Sequence, residues 1–379
     1  MCILRAGHPT GFEVYSGTIG SFMRRIRANG DFGPARRGSR IVRAAAALLA
    51  LLTLAGCSGN SDVKSDKQLF SMDTVMLLTC YGKSADKALD AAADAITALD
   101  TDLDPESQDS SAYALNAGAG GWVTVSQACL DIMSTAQTVF QRSGGALNVG
   151  IYPLVKAWGF IDQNYRVPDQ AEIDGLLAKM DTAGIELDEA GRRICLPAGM
   201  EVSFGAVAKG YAGMQAIAAM RNAGAQCAIV SLGGNVQTLG DTKPDGNPWE
   251  VAVTDPNDTG SYVGVLSVGQ TAVITSGGYQ RYFVNNGVTY IHILDPSTGY
   301  PVDNGLKSVT VVCEDGAMAD ALSTALFVLG EQGALDYYKT YGGFGLVLIT
   351  SDNRVVVTAN LAKQFTENGK NYTYQYLNY

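Results

Sequence analysis

The chain has 379 residues, 47% hydrophobic and 17% charged, with a formal charge of −10. That length and apolar content are ample for a large core, in one domain or two closely packed ones. The acidic balance, with no basic stripe, excludes nucleic acid as a partner.

The first 56 residues are a different material. Arg24, Arg25, Arg27, Arg36, Arg37, Arg40 and Arg43 precede an apolar run from Ala44 and then Leu54-Ala55-Gly56-Cys57. A basic start, a short apolar stretch and small residues at a cut describe a secretory signal. The apolar run is too short to cross about 30 Å of hydrocarbon. Leu-Ala-Gly-Cys resembles a bacterial lipobox, which implies cleavage before Cys57, lipid on its thiol, and a domain anchored to the cell membrane outside the cytoplasm. Met23 begins a tidier leader than Met1. Residues 57–67 read as a polar tether, and 68–379 as the functional domain. Eight of the 27 basic and two of the 37 acidic residues precede Cys57, which leaves 19 against 35, a charge of −16. An anionic ligand therefore needs local help from metal, lysine or helix N-termini. The cysteines are widely spaced, with no CxxC pair, so neither a disulfide framework nor a zinc site is indicated.

In chain order, Leu69 to Tyr81 alternates as a strand, interrupted at Met72-Asp73-Thr74. Ser84 to Asp100 has a helical period, with Ser84 or Asp86 as N-cap. Thr101 to Ser111 reads as an acidic, solvated loop. A short strand spans Ala119 to Val125, and a helix runs from Ser126 to Gly144. Gly145 to Phe160, glycine-rich around Trp158, is either a backbone that approaches a ligand closely or a buried loop with its tryptophan in the core. Pro168 to Lys179 is a short helix, and Gly184 to Leu196 gives two short strands around Gly191. Glu201 to Met220 reads as a strand end, Gly205, and a helix bearing Lys209. That junction can present N–H groups and a cation to phosphate, or serve helix–sheet packing. Cys227 to Leu239 is strand–GlyGly–strand, and three more strands cover 249–254, 264–268 and 272–275. A hairpin turns at Asn285-Asn286-Gly287. Strand 308–313, a helix from Met318, strands 344–349 and 354–358 and a tyrosine-rich end complete the chain. Hairpins are frequent and strands outnumber helices, so the expected class is α+β, antiparallel sheets packed with helices.

The stretch Thr275 to Gly330 holds the densest chemistry. It contains His292, three residues before Asp295, and then Asp320 and Thr324. An i, i+4 pair shares one helix face. Carboxylate and hydroxyl oxygens together suit a hard cation such as Mg²⁺, whose shell phosphates complete. Taken alone, Asp320 can equally cap a helix, and Thr324 can bond back to its own helix. His292 can handle a proton, contact phosphate or hold the turn that follows it. Tyr279, Arg281 and Tyr282 line the site or simply alternate along a strand.

Seven ordered blocks then carry a resemblance. They are Met72-Asp73-Thr74, Asn148 to Phe160, FGAVAKGYA from Phe204, VSLGGN from Val230, TSGGYQRYF from Thr275, HILDPSTGYPV from His292 and ADALSTALFVLG from Ala319. Together they resemble the ApbE family of FAD:protein FMN transferases. The resemblance implies an ApbE-like architecture related to the T-fold. It implies that FAD is the substrate, with Mg²⁺ on its pyrophosphate, and that a threonine hydroxyl of a partner protein attacks the FMN-side phosphorus and releases AMP. It implies metal ligands at Asp320, Thr324 and the Ala206 carbonyl, with Ser323 where some members have a further carboxylate. Flavin-nucleotide contacts are implied at Met72, Leu103, Ala146, Leu147, Asn148, Ser203, Lys209 and Leu294, and a catalytic role at His292. Two departures stand out. Ser203 occupies a position commonly aspartate, which weakens one contact to the nucleotide. Met-Asp-Thr replaces Met-Gly-Thr. The implied partner is a secreted flavoprotein with a D-x-x-[ST]-G-A-[ST]-like segment, which this chain itself lacks. Two further readings use the same residues: a Mg²⁺-dependent FAD pyrophosphatase giving FMN and AMP, and a non-catalytic FAD-binding lipoprotein. The Asp320/Thr324 pair favours an enzyme over a store.

Overall fold

A computed structural model describes residues 63–378. The secretory segment, Cys57 and the first part of the tether lie outside the described residues.

The domain opens with a hairpin of β1 (Lys64–Ser71) and β2 (Thr74–Tyr81). Lys64 to Lys67 therefore belong to a paired strand, not to the tether. They read as linker because Lys64, Asp66 and Gln68 alternate outward on an edge strand. The interruption at Met72-Asp73 is the turn itself, with both residues in the left-handed region (φ 47° and 59°). Two-residue hairpin turns need that conformation, usually supplied by Asn and Gly.

Helix α1 (Ala85–Leu103) buries Ala88, Leu89, Ala92, Ile96, Leu99 and Leu103 along one stripe. The expected acidic loop is present over residues 104–110, shorter at both ends than the sequence suggests. α1 runs through its first residues, and α2 (Ser111–Ala117) begins at its end, capped by Ser110, which accepts from Tyr113 N. The Asp102 carboxylate accepts from the hydroxyls of Ser111 and Ser126, so it ties the helices rather than facing solvent. After β3 (Trp122–Thr124), α3 (Gln127–Arg142) starts at Ser126, whose hydroxyl accepts from Cys129 N at 3.0 Å. Next come α4 (Tyr152–Ala157), α5 (Gln170–Leu177), β4 (Glu186–Asp188) and β5 (Arg193–Cys195). Residues 201–204 are not a strand. The Asn116 side chain takes the place of a strand neighbour, donating to Val202 O at 3.0 Å and accepting from Val202 N at 2.8 Å. Then α6 (Ala208–Asn222), β6 (Cys227–Leu232), β7 (Asn235–Leu239), β8 (Trp249–Asp255), β9 (Asp258–Val268), β10 (Ala272–Gly277), β11 (Tyr282–Asn285), β12 (Val288–Ile291) and β13 (Leu306–Cys313) follow. The chain ends with α7 (Gly316–Tyr341), β14 (Gly345–Thr350), β15 (Arg354–Val357), β16 (Phe365–Glu367) and β17 (Thr373–Tyr376).

Nine strands form one sheet in the order β1-β2-β6-β7-β10-β13-β14-β15-β17. Only the last pairing, β15 with β17, is parallel. Successive strand residues face opposite sides, and the cores divide accordingly. Val311, Leu346 and Leu348 join the core under α1, α3, α6 and α7. Val312, Val347 and Ile349 join a second core under the small sheet β16-β9-β8. The central strands are thus buried on both faces, which explains why β14 reads as a continuous apolar run. A third core gathers Trp158, Phe160, Ile173 and Leu294. There the Trp158 indole N–H donates to Gly299 O at 2.9 Å, so Trp158 takes the core role. The architecture is α+β, as expected.

Two helices meet at glycine. A Cβ built on Gly210 of α6 falls 2.6 Å from Asp320 Cβ and 2.7 Å from the Gly316 carbonyl carbon of α7. Only a residue without a side chain permits that crossing. Gln237 of β7 closes it from below, donating to Gly210 O at 2.7 Å. α7 is interrupted at Gly330 (φ 73°, ψ 178°), where Asn304 Nδ2 donates to Phe327 O at 2.8 Å and Val328 O at 3.1 Å.

Candidate functional site

The Gly210 crossing positions the first site residue. Asp320 is 3% exposed, and its Oδ2 accepts from Gly210 N at 2.8 Å. Gly210 N–H is one of the first-turn donors that a helix leaves without a partner of its own, and Asp320 takes it. Ala206 stands just before the cap at Val207, and among the described residues no backbone N–H donates to its carbonyl. Burial raises the Asp320 pKa above the usual carboxylate value. The Lys209 charge, the Gly210 N–H and the nearby Asn235 amide oppose the rise.

Thr324, one turn on, is half-buried, with Ser276 Oγ of β10 3.3 Å from its hydroxyl. Ser276 Oγ also lies 2.8 Å from Ser323 Oγ, which donates to Asp320 O at 2.9 Å. The expected donors are thus one carboxylate, one backbone carbonyl and one hydroxyl, with the Ser276 and Ser323 hydroxyls next to the last. That donor set fits a cation of the Mg²⁺ type, which keeps waters and takes phosphate oxygens for the remainder. Among the described residues no cluster of three His, Cys, Asp or Glu side chains could hold a metal by itself.

Lys209 sits on the first turn of α6, its Nζ donating to Gly205 O at 3.2 Å. Its charge acts on both Asp320 and His292, so the three share one electrostatic neighbourhood. His292 is half-buried, with its Nδ1 3.1 Å from Arg281 O and its ring edge-on to Phe160. The carbonyl is an acceptor only, so Nδ1 carries the proton and Nε2 keeps its lone pair. The surrounding protein, then the charges of Arg281 and Lys209, push its pKa down to about 4. A neutral imidazole with a free Nε2 is ready to accept a proton at neutral pH.

The remaining expected contacts divide into two groups. Arg281 Nη2 donates to Asp73 Oδ2 at 3.3 Å, which brings the Met72 turn next to the His292 neighbourhood. Ser203 N donates to Val149 O at 3.0 Å, so Ser203 adjoins the Ala146-Leu147-Asn148 turn. Asn148 Oδ1 already accepts from Gly150 N at 2.9 Å and from Thr182 Oγ1 at 2.5 Å. Its oxygen holds the turn, and only its amide N–H groups are left for a ligand. Leu103, Leu147 and Leu294 are buried in cores, so their side chains pack and their backbone is what they can offer.

Sequence reasoning missed three polar residues. Ser276 and Gln237 bind the cluster as described. Asn235 is 2% exposed, and its Nδ2 has no hydrogen-bond partner. It lies near enough to Asp320 to favour the charged carboxylate, yet outside hydrogen-bond range. The signal was present: all three stand in the blocks from Val230 and Thr275, or just after them, on strands that otherwise read as apolar. A groove of about 630 Å³ lined by Met318, Phe344 and Gln364 contains none of the expected site residues. The five described cysteines are free thiols, with Cys80 and Cys129 buried.

The sequence profile of the ApbE family matches residues 72–348. The chain is similar to the FAD:protein FMN transferase of Klebsiella pneumoniae, 33% identical over 246 residues, 64% of this chain and 76% of that protein. It is also similar to the FAD:protein FMN transferase of Treponema pallidum, 30% identical over 332 residues, 82% of this chain and 91% of that one. Its fold matches the crystal structure of the ApbE protein from Thermotoga maritima with a TM-score of 0.75 at 28% identity, covering 80% of this chain and all of the other.

Proposed function

The chain belongs to the ApbE family, and from that membership we propose that it is an FAD:protein FMN transferase acting on a threonine of a protein acceptor. The observation that carries the reading is Asp320, buried and tied to Gly210 N–H, with Thr324 one turn on and Ser276 3.3 Å from its hydroxyl, and an Ala206 carbonyl that no backbone N–H of the described residues claims. Asp320, Thr324 and the Ala206 carbonyl are the groups that would hold Mg²⁺, which would supply positive charge to a bound pyrophosphate. The protein's own groups do the rest. Lys209 adds a fixed cation next to the same phosphates. His292 Nε2 takes the proton of the attacking threonine hydroxyl. The oxygen–phosphorus bond to the FMN-side phosphate forms as the bond to AMP breaks, so FMN stays on the acceptor and AMP leaves. Phosphoryl transfer of this kind needs positioning and charge more than covalent help. The Met72 turn, the 146–148 turn and Ser203 serve to orient the nucleotide.

The proposal extends to address and partner. Lipid on Cys57 would hold the domain at the outer side of the bacterial cell membrane, and the acceptor is a secreted flavoprotein with a D-x-x-[ST]-G-A-[ST]-like segment. The test uses residues 58–379 with FAD, Mg²⁺ and such an acceptor domain, weighed by mass spectrometry. A gain of one FMN, lost in Asp320→Ala and with EDTA, is expected. Free FMN and AMP with an unmodified acceptor would make the chain a pyrophosphatase. FAD retained without turnover would make it a store.

A further inference from the structure

The hairpin of β11 and β12 is a two-stranded sheet that pairs with no other strand among the described residues. Both of its edges are open. Natural proteins blunt such edges with charge, proline or bulges. Elsewhere this chain does so: β1 carries Lys64, Asp66 and Lys67, and β8 carries Glu250 and Asp255. β11 (YFVN) and β12 (VTYI) carry neither charge nor proline. Instead they expose Tyr282 at 53%, Val284 at 59% and Val288 at 52%. The inner face is held firmly. Phe283 and Tyr290 stack at 5.1 Å, Phe283 stacks on Tyr165 at 5.1 Å, and Tyr290 lies 5.3 Å from Trp158.

Register sets where the open groups point. His292 N donates to Arg281 O at 3.0 Å, so that pair is a hydrogen-bonded one. Hydrogen-bonded and non-bonded pairs alternate in an antiparallel ladder. Tyr282↔Ile291 and Val284↔Thr289 are then the non-bonded pairs, and the N–H and C=O groups of Tyr282 and Val284 face outward along β11. The strand ends beside His292. Val284 lies three residues from Arg281, about 10 Å along the strand at 3.4 Å per residue.

We propose that an extended segment of the protein acceptor adds as a third strand along the open edge of β11, packs on Tyr282 and Val284, and so delivers its hydroxyl to His292. The inference rests on the transferase reading above. A protein substrate must reach His292, and β11, which bears no charged side chain of its own, begins next to Arg281, whose carbonyl accepts from His292 N. Main-chain pairing supplies affinity, and alternate side chains supply selectivity.

The experiment compares the wild-type chain with Val284→Pro, Val284→Lys and Val284→Thr. The probe is the acceptor domain used above. Proline at an outward-facing N–H leaves the ladder of the hairpin intact but removes the edge donor. Lysine keeps the donor and removes the apolar surface, and threonine keeps the strand shape. Expected is a rise in acceptor KM of about tenfold for the proline and lysine variants, the worth of one hydrogen bond or of one packed apolar side chain. The threonine variant stays near wild type, and FAD affinity is unchanged in all three. Wild-type acceptor KM in the proline and lysine variants overturns the docking edge and leaves the transferase standing. Altered sedimentation with unchanged KM also overturns it, since the edge then pairs copies of this chain. A wild-type chain that binds FAD and labels no acceptor overturns both readings. Weakened FAD binding in the proline variant alone marks a collapsed hairpin, and the lysine variant then decides.

Discussion

Replacing Gly210 by alanine tests the link between fold and site most directly. The new methyl would stand 2.6 Å from Asp320 Cβ and 2.7 Å from the Gly316 carbonyl carbon. Carbon atoms in contact prefer about 3.5–4.0 Å, so α6 and α7 must separate by roughly 1 Å. Neither neighbour can swing aside, because one is backbone and the other is the root of a side chain. Overpacking of this kind costs about 1–3 kcal/mol. For a domain of this size that is roughly 2–10 °C of melting temperature. The separation also stretches the Gly210 N–H bond to Asp320, now 2.8 Å, and loss of a partner behind a metal ligand typically costs about 10–100-fold in metal affinity. Calorimetric melting and titration of FAD with and without Mg²⁺ measure the two effects. Gly175→Ala is the control: nothing lies within 4 Å of its built Cβ, and alanine in α5 should stabilise by about 0.4–1 kcal/mol. An unchanged melting temperature and an unchanged Mg²⁺ response in Gly210→Ala would refute the tight crossing and its hold on Asp320.

Three other outcomes follow from the same geometry. Asp320→Asn should abolish Mg²⁺-dependent transfer yet raise the melting temperature of the metal-free protein. Burial lifts the folded pKa of Asp320 above its unfolded value, so its contribution to apo stability is greatest below pH about 4 and is lost as pH rises through the raised value. A metal-free Asp320→Asn that melts lower than wild type at pH 7 counts against this. His292 has a folded pKa of about 4, below its unfolded value, so it stabilises above pH about 6.5 and that contribution fades as pH falls towards the folded value. The acid limb of kcat/KM should accordingly fall well below pH 6.5, and Arg281→Gln, which removes a repelling charge, should move it towards neutrality. An acid limb that ignores Arg281 sinks the assignment of His292 as proton acceptor. Ser203→Asp restores a charge-assisted acceptor and should tighten FAD about fivefold by calorimetry, since ionised acceptors roughly double a hydrogen bond's worth; equal affinity places Ser203 off the nucleotide.

Much of the molecule is legible in the sequence because its signals are local. Helix α3 announces its start at Ser126, and the β11–β12 turn is written in Asn286-Gly287. The hairpin turn at Met72-Asp73 is less visible, because two non-glycine residues hold positive φ there. The loop at 104–110 is where the acidic run put it, but Asp102 at its edge is spent on Ser111 and Ser126, 9 and 24 residues away, which composition does not signal. The same limit applies at the site. Asp320 and Thr324 are neighbours by helical spacing, but Ser276, Asn235 and Gln237 join them only through sheet register, which spans dozens of residues. That the Ala206 carbonyl is unclaimed by the helix depends on the helix starting only at Ala208, a boundary the residues around Gly205 do not spell out.

The break at Gly330 has its own bearing on how such a chain can change. Asn304 satisfies the carbonyls that the interruption strands, so the helix stops there without cost to the segment that carries Asp320 and Thr324. Substitutions at the exposed positions between Gln332 and Tyr341 can then alter surface, charge or partner contacts while Ala334 and Tyr337 keep that stretch in the core. Selection and engineering alike have on the outer side of that last stretch of α7 a surface that can drift beside a centre that cannot.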